Sequence, residues 1–359
     1  MSYITSIGLA VPENKIDQTR IADFMERLAT DEEQRRKIKT IFRASGIKTR
    51  HSVLSDYGKP SGYSFFPNTE NLEPFPGTEQ RMHAYQQHAA ELSIQAVQEA
   101  LRTNTIQANS ITHLITVSCT GMYAPGLDID LVKALSLKSS IHRTCINFMG
   151  CFAAITALKS ADSICRANDK AKVLIVCTEL CSLHFQKDFT DDNILANALF
   201  ADGAAAMIVE GDSTDAQLLI EGFYSEIAHQ GADAMAWSIG DLGFEMRLSS
   251  YVPEILGTGI KSLVDGLLVN VTGGSIDHFA IHPGGKKILD VVGHALSLPK
   301  EKLASSYSVL NDYGNMSSAT LVFVLKHLLD SGIVQSNQSI MGMAFGPGLT
   351  MESLLLKKI

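Results

Sequence analysis

Cys151 stands where a thiol can serve as a nucleophile. The run Asn147-Phe148-Met149-Gly150-Cys151-Phe152-Ala153-Ala154 closes an apolar segment, turns at Gly150 and opens a stretch of small residues. Read as strand, turn and helix, it sets Cys151 at a helix N-terminus, where unpaired backbone N–H groups and the helix dipole favour a thiolate. A buried structural cysteine is the commoner fate of a lone thiol, so the reading needs partners. His282, in Phe279-Ala280-Ile281-His282-Pro283-Gly284-Gly285-Lys286, ends a short apolar strand at a Pro-Gly-Gly turn. Strand ends of that kind are where α/β folds place ligands. His278 rivals it in chemistry but not in context. Asn315, in Gly314-Asn315-Met316-Ser317-Ser318, opens a helix; an N-cap role would explain it, and an oxyanion donor is the functional alternative. The three together supply a nucleophile, a proton acceptor and an amide donor, with no carboxylate base. That set suits a carbanion made by losing carbon dioxide, not by proton abstraction. If Cys151 and His282 form an ion pair, alkylation of the thiol stays fast well below the free-cysteine pKa of about 8.5.

The elements that must position these residues alternate. An N-terminal strand is followed by strands at His113–Cys119, Arg143–Phe148, Lys172–Cys177, Ala204–Glu210, Leu218–Ser225, His278–Ile281, Ser339–Phe345 and Thr350–Lys357. Helices fall at Gln18–Leu28, His83–Thr103, Asp128–Leu137, Cys151–Ala167, Pro253–Leu268, Lys286–Ala295 and Ser317–Leu329. Such alternation predicts an α/β fold, a mixed sheet with helices on both faces. Residues 56–80, rich in Gly, Pro, Ser and Asn, read as one long surface loop. The basic run Arg35, Arg36, Lys37, Lys39, Arg43, Lys48 and Arg50 reads as a solvated helix face or as a patch for a phosphorylated ligand.

Composition narrows the classes. Of 359 residues, 45% are hydrophobic and 19% charged, as in a chain with a real core. A net charge of −8 argues against nucleic acid as a partner. No run approaches the roughly 20 apolar residues of a membrane helix, so no membrane insertion is expected. The N-terminus has no basic leader, and none of the six cysteines forms a CxxC pair, so a reduced, cytoplasmic protein is expected. No His/Cys/Asp/Glu cluster has metal-ligand spacing, and no metal is expected.

Five motifs in order carry a family likeness: Gly150-Cys151, Ala198-Leu199-Phe200-Ala201-Asp202-Gly203-Ala204, His282-Pro283-Gly284-Gly285, Gly314-Asn315-Met316-Ser317-Ser318, and Phe345-Gly346-Pro347-Gly348-Leu349-Thr350. The chain resembles the type III polyketide synthases, the chalcone synthase-like enzymes of the thiolase superfamily, from Ile4 to the C-terminal strand. The resemblance implies a thiolase-like αβαβα layered sandwich of two related halves, residues 1–215 carrying the nucleophile and 216–359 the histidine and asparagine. It implies a homodimer with no cofactor, whose substrates are an acyl-CoA starter and malonyl-CoA. Cys151 would hold the growing chain. His282 and Asn315 would bind the malonyl thioester oxygen and stabilise the enolate formed on decarboxylation. The product would then cyclise to a pyrone, resorcinol or related aromatic.

By the same resemblance Phe200 is the gatekeeper between the CoA tunnel and the acyl cavity, and Met246 stands where a second gatekeeper phenylalanine is usual. Cys119, His184, Trp237 and Ser317 take cavity-lining positions, with Trp237 where the plant enzymes carry glycine. Gly346, Pro347 and Gly348 would shape the cyclisation cavity, after Ala344 in place of a usual glycine. Ala124 replaces a methionine that reaches across the dimer in the plant enzymes. For CoA binding, Lys37 matches a family lysine, and Lys39, Arg43 and Lys48 are the nearby cations that substitute for the rest. Three other readings are weighed. A carrier-protein-dependent ketoacyl synthase would usually carry Gln-Ala-Asn after the histidine. A non-catalytic acyl-CoA-binding protein has no need of all three catalytic side chains. A Cys–His–Asn hydrolase needs a water path that Phe200 opposes.

Overall fold

Residues 172–180 show how this sequence builds its sheet. Every side chain from Val173 to Leu180 is buried, so the run has no polar face and needs cover on both sides. The computed structural model, which describes residues 1–103, 106–212, 215–249, 251–271 and 275–359, supplies that cover. Its strands are β1 (Tyr3–Ala10), β2 (Asn14–Asp17), β3 (Thr49–Ser52), β4 (His113–Ser118), β5 (His142–Asn147), β6 (Lys172–Leu180), β7 (Asp202–Glu210), β8 (Leu218–Ile227), β9 (Met235–Gly240), β10 (Gly243–Leu248), β11 (His278–Ile281), β12 (Ser339–Gly346) and β13 (Thr350–Lys358). Its helices are α1 (Gln18–Glu26), α2 (Glu32–Ala44), α3 (Thr78–Arg102), α4 (Leu127–Ala134), α5 (Ala153–Ala167), α6 (Asp191–Leu199), α7 (Val252–Asn270), α8 (Lys286–Ala295), α9 (Ala304–Tyr313) and α10 (Thr320–Asp330).

Nine strands join in the order β11-β12-β13-β8-β1-β7-β6-β4-β5. The join between β8 and β1 is short, with only Tyr3–Leu219 and Ile4–Leu218 in register. Strands β1, β7, β6, β4 and β5 therefore form one half of the sheet, and β8, β13, β12 and β11 the other.

Three apolar clusters separate the layers. On one face of the first half, Leu114, Leu174, Val176 and Ile208 pack against Leu92, Ala96 and Val97 of α3. On its other face, Ile115, Val117, Ile175 and Met207 meet α5 and α10, which also touch Ile340 and Leu354 of the second half. Beyond the second half, Ile281, Met341 and Met343 pack on α7 and α8. Helices, half-sheet, helices, half-sheet, helices is the thiolase-like αβαβα arrangement.

Several elements differ from expectation. The helix after Cys151 begins at Ala153, so Cys151 and Phe152 lie in the turn before it. The helix expected from His83 starts at Thr78, where Gln80 accepts from the Gly77 N–H at 3.2 Å and so caps it. The helix expected from Ser317 opens as a tight 3₁₀ turn, Ser317–Ala319, before α10. The β9–β10 hairpin, α6 and α9 are additional to the elements expected from sequence. Among the described residues, no helix is long and apolar enough to cross a membrane.

Candidate active site

Three chain turns converge on one cavity of about 320 Å³, lined by Cys151, His282 and Asn315 together with Cys119, Phe200, Trp237, Met246, Ser317 and Pro347. The turn that carries Cys151 is held in unusual backbone geometry. Phe148 has φ 59° and Gly150 φ 91°, and a Cβ on Gly150 would lie 2.2 Å from Pro347 Cδ. Glycine is required there, since an added side chain would strike a ring it cannot displace. The Gly150 N–H donates to Cys119 Sγ at 3.0 Å, which fixes the turn from the other side.

Asn315 is held by both its backbone and its side chain. Its N–H donates to Leu199 O at 2.9 Å, and its carbonyl accepts from the Ala201 N–H at 2.8 Å. Side-chain Oδ1 accepts from the Ser317 N–H at 2.9 Å, although the residue at the cap of that turn is Met316, one after Asn315. That bond orients the amide, so Nδ2 donates to Gly284 O at 3.3 Å in the turn after His282. One amide hydrogen remains for a ligand. Cys151 Sγ lies 4.0 Å from Asn315 Oδ1.

His282 ends β11, its backbone N–H donating to Met343 O at 2.8 Å. The side chain is buried, and neither ring nitrogen has a partner within the described chain. Buried polar atoms are rarely left so. His184 is the contrast. Its Nδ1 accepts from the Phe244 N–H at 3.0 Å, so Nε2 is the donor, to Thr120 O at 2.7 Å. With both nitrogens used, and its ring stacked on Phe244 at 4.1 Å, His184 is wall material.

Burial sets the charge states. It pushes the Cys151 thiol up to about 12, opposed by the Ser317 hydroxyl and reinforced by the Glu179 carboxylate. It pushes the His282 imidazole down to about 3. Both shifts are the effect of burial on one group at a time; they act against the thiolate–imidazolium pair expected from sequence and favour the neutral forms. Because the folded-state thiol titrates above its ordinary value, its anion becomes populated only as pH rises. Iodoacetamide inactivation should therefore climb steadily through and above pH 8.5, the region of the free thiol. A rate already level between pH 6 and 7 would restore the ion pair.

Trp237 and Met246 face each other across the β9–β10 register. The indole N–H donates to Cys119 O at 2.7 Å, which fixes the ring. Phe200, Trp237, Met246 and Cys181 line both the main cavity and a smaller one of about 50 Å³ that reaches Arg50, His51 and His184. Trp237 is thus part of a partition. Trp237→Ala should merge the two spaces and shift products toward longer chains, as read by mass spectrometry. An unchanged product profile would show that the ring limits nothing. Gly346 and Gly348 stand behind the cavity surface: a Cβ on Gly346 would meet Phe152 Cδ1 at 2.6 Å, and Gly348 has φ 72°.

The cations named for CoA binding lie outside this cavity lining. Lys37 is paired with Asp191, and Lys39 with Glu26 at 3.0 Å. Arg43 and Lys48 are exposed at and just beyond the end of α2.

Three buried charged residues organise the site: Glu179, which sequence reasoning missed, and Arg50 and Asp202, to which it gave no such role. Glu179 accepts from the Cys119 N–H at 2.9 Å, from Thr120 Oγ1 at 2.8 Å and from the Ser318 hydroxyl, tying the loop after β4 to the Asn315 turn. Arg50 donates to Gln18 Oε1 at 2.8 Å and to the carbonyl of Phe200, whose side chain lines the cavity. Asp202 accepts from the backbone N–H of Ser182 at 2.7 Å and of Val53 at 2.8 Å. Their sequence signals are a charge at the end of one apolar strand (Glu179), a place in a family motif at the start of another (Asp202), and a place in a basic run (Arg50).

Residues 1–213 match the family model for the N-terminal domain of chalcone and stilbene synthases, and residues 223–359 match that for the C-terminal domain. The chain belongs to this family, the type III polyketide synthases, a class of decarboxylating condensing acyltransferases. It is 31% identical over 371 residues to the alpha-pyrone synthesis polyketide synthase-like Pks18 of Mycobacterium tuberculosis, covering 99% of this chain and 91% of that protein. It is 32% identical over 369 residues to probable polyketide synthase 1 of Dictyostelium discoideum, covering all of this chain but only 11% of that much longer protein. Among solved structures, the C-terminal type III polyketide synthase domain of Steely1 from Dictyostelium superposes with a TM-score of 0.93 at 31% identity, covering 100% of this chain and 99% of that one. The 1,3,6,8-tetrahydroxynaphthalene synthase of Streptomyces coelicolor A3(2) gives 0.89 at 28% identity, with 99% of each chain covered.

Proposed function

We propose that this enzyme loads a starter acyl group from a CoA thioester onto Cys151, extends it with malonyl-CoA by decarboxylative condensation, and releases a cyclised pyrone, resorcinol or related aromatic. One observation carries the reading: the unpartnered ring nitrogens of buried His282 line the same cavity as the Cys151 thiol and the Asn315 amide.

In loading, Cys151 Sγ attacks the starter thioester carbonyl while His282 takes the thiol proton. The CoA sulfur leaves and receives that proton, giving free CoA and an acyl thioester on Cys151. In extension, the free amide hydrogen of Asn315 and a ring N–H of neutral His282 bind the thioester oxygen of malonyl-CoA. Carbon dioxide leaves, and its bonding electrons form an enolate whose oxygen charge these donors stabilise. The enolate carbon attacks the acyl thioester, and Cys151 departs and is reprotonated. A neutral imidazole serves this step because it keeps one N–H to donate.

The name of the mycobacterial relative refers to alpha-pyrone synthesis, which supports a pyrone among the candidate products. A panel of short, aromatic and long aliphatic acyl-CoA starters with malonyl-CoA, products read by mass, tests the reading. Extended, cyclised products from at least one starter are expected, and hydrolysis to free acid alone would overturn it.

A homodimer is part of the same proposal. Strand β5 is one edge of the nine-stranded sheet, and His142, Arg143, Thr144 and Cys145 on it are exposed. Open edges of this kind invite pairing, and a second copy would cover it. Light scattering should give about twice 38.9 kDa; the mass of a single chain would refute the dimer.

A further inference from the structure

We infer that Arg50, seated by Gln18, is a positioning residue for condensation: it fixes the end of α6 so that the Phe200 ring closes the cavity wall beside the Asn315 turn; this rests on the condensing-enzyme reading above. Arg50 ends the basic run of the sequence, yet it lies in β3 and is buried. Burial pushes the guanidinium down to about 10, so it stays charged at neutral pH. The carbonyls of residues 198, 199 and 200 lie at the C-terminal end of α6, where a helix supplies no N–H of its own. Each has a separate donor. Ala198 O accepts from Gln18 Nε2 at 2.8 Å, Leu199 O from the Asn315 N–H at 2.9 Å, and Phe200 O from Arg50 Nη1. Gln18 Oε1 accepts from Arg50 Nε at 2.8 Å, which orients the guanidinium, and the helix dipole at this end favours a cation.

The arginine stem reaches the Asn315 turn as well. A Cβ on Gly314 would lie 2.9 Å from Arg50 Cγ and Cδ, and Gly314 has φ 75°. The stem thus packs against the residue before Asn315, while Phe200 and Asn315 pair in an isolated parallel bridge. Cavity wall and amide donor share one support. Arg50 Nη2 has no partner among the described residues. Leaving a buried, charged N–H unmet costs stability, so stability alone does not account for an arginine here. Its hold on the Phe200 carbonyl does.

The test follows carbon dioxide released per malonyl unit built into polyketide. A loosened Phe200 admits water, and the enolate is then quenched by a proton before it attacks the acyl thioester. In Arg50→Gln, polyketide kcat should fall about tenfold, the scale of one hydrogen bond to a charged group, with KM for malonyl-CoA little changed and the carbon dioxide ratio raised. Arg50→Lys and Gln18→Met should show the same change to a smaller degree, and they decide the matter if Arg50→Gln does not fold. Phe200→Ala should raise the ratio by itself, and adding an Arg50 substitution should raise it no further, because both act through one ring. Trp237, the one tryptophan of the chain, has its ring centroid 6.4 Å from that of Phe200. Acrylamide quenching of its fluorescence should therefore rise in the Arg50 variants with no substrate present. A carbon dioxide ratio at the wild-type value in folded variants, or additive effects with Phe200→Ala, would overturn the assignment. If the wild-type enzyme made no polyketide while quenching still depended on Arg50, the condensing-enzyme reading would fall and the hold of Arg50 on Phe200 would stand.

Discussion

Replacing Cys151 by alanine should abolish condensation while leaving malonyl-CoA decarboxylation running. The two halves of the reaction use different atoms. In the proposed mechanism, covalent capture of the starter needs Sγ, whereas the enolate forms against His282 and Asn315. Alanine leaves the turn intact, since φ is positive at Phe148 and Gly150 and the strain does not sit at residue 151. Loss of a covalent nucleophile costs on the order of 10⁴-fold or more, so chain extension should fall below detection. Malonyl-CoA should still be converted to acetyl-CoA and carbon dioxide, because the enolate is quenched by a proton when no acyl acceptor is present. Radiolabelled malonyl-CoA, followed in both products, reads the two activities together. If decarboxylation disappears with the sulfur, the division of labour is wrong.

The reciprocal experiment removes the donors. Asn315→Ala and His282→Ala should each slow decarboxylation by about 10²- to 10³-fold, the usual loss for one oxyanion-hole donor in a water-excluded site. The two variants should differ in starter loading. Asn315→Ala leaves the proton acceptor in place, so Cys151 should still acylate. His282→Ala removes it from beside a thiol that burial holds near 12, so loading should slow as well. Asn315 also accepts from the Ser317 N–H, and its removal loosens that turn. Asn315→Asp, which keeps the acceptor but loses the donor, separates the effects. Decarboxylation at the wild-type rate in Asn315→Asp would exclude the amide as an oxyanion donor.

That Cys151, His282 and Asn315 belong together in one cavity was legible in sequence because each sits at local punctuation: Gly150 before Cys151, Pro283-Gly284-Gly285 after His282, Gly314 before Asn315. Strand–helix alternation likewise carried the layered fold, since runs such as Val173–Leu180 have no polar face. What was not legible depends on distant partners. The basic residues of α2 looked available, yet Lys37 meets Asp191 from α6, an element the sequence reading did not contain. The burial that shifts Cys151 and His282 comes from segments distant in sequence, which no local pattern reports. Glu179 lies at the end of an apolar strand, and its donors come from the loop after β4 and the turn before α10. The β9–β10 hairpin brings Trp237 onto Cys119, a contact between residues 118 apart that only the folded chain reveals.

Intact-protein mass spectrometry after brief exposure to acyl-CoA starters, without malonyl-CoA, tests the central claim most directly. The account predicts one added acyl group per chain, mapped by peptide digestion to Cys151 and absent from the alanine variant. An acyl group on another of the six cysteines, or no adduct with any starter while polyketide is still made, would contradict it.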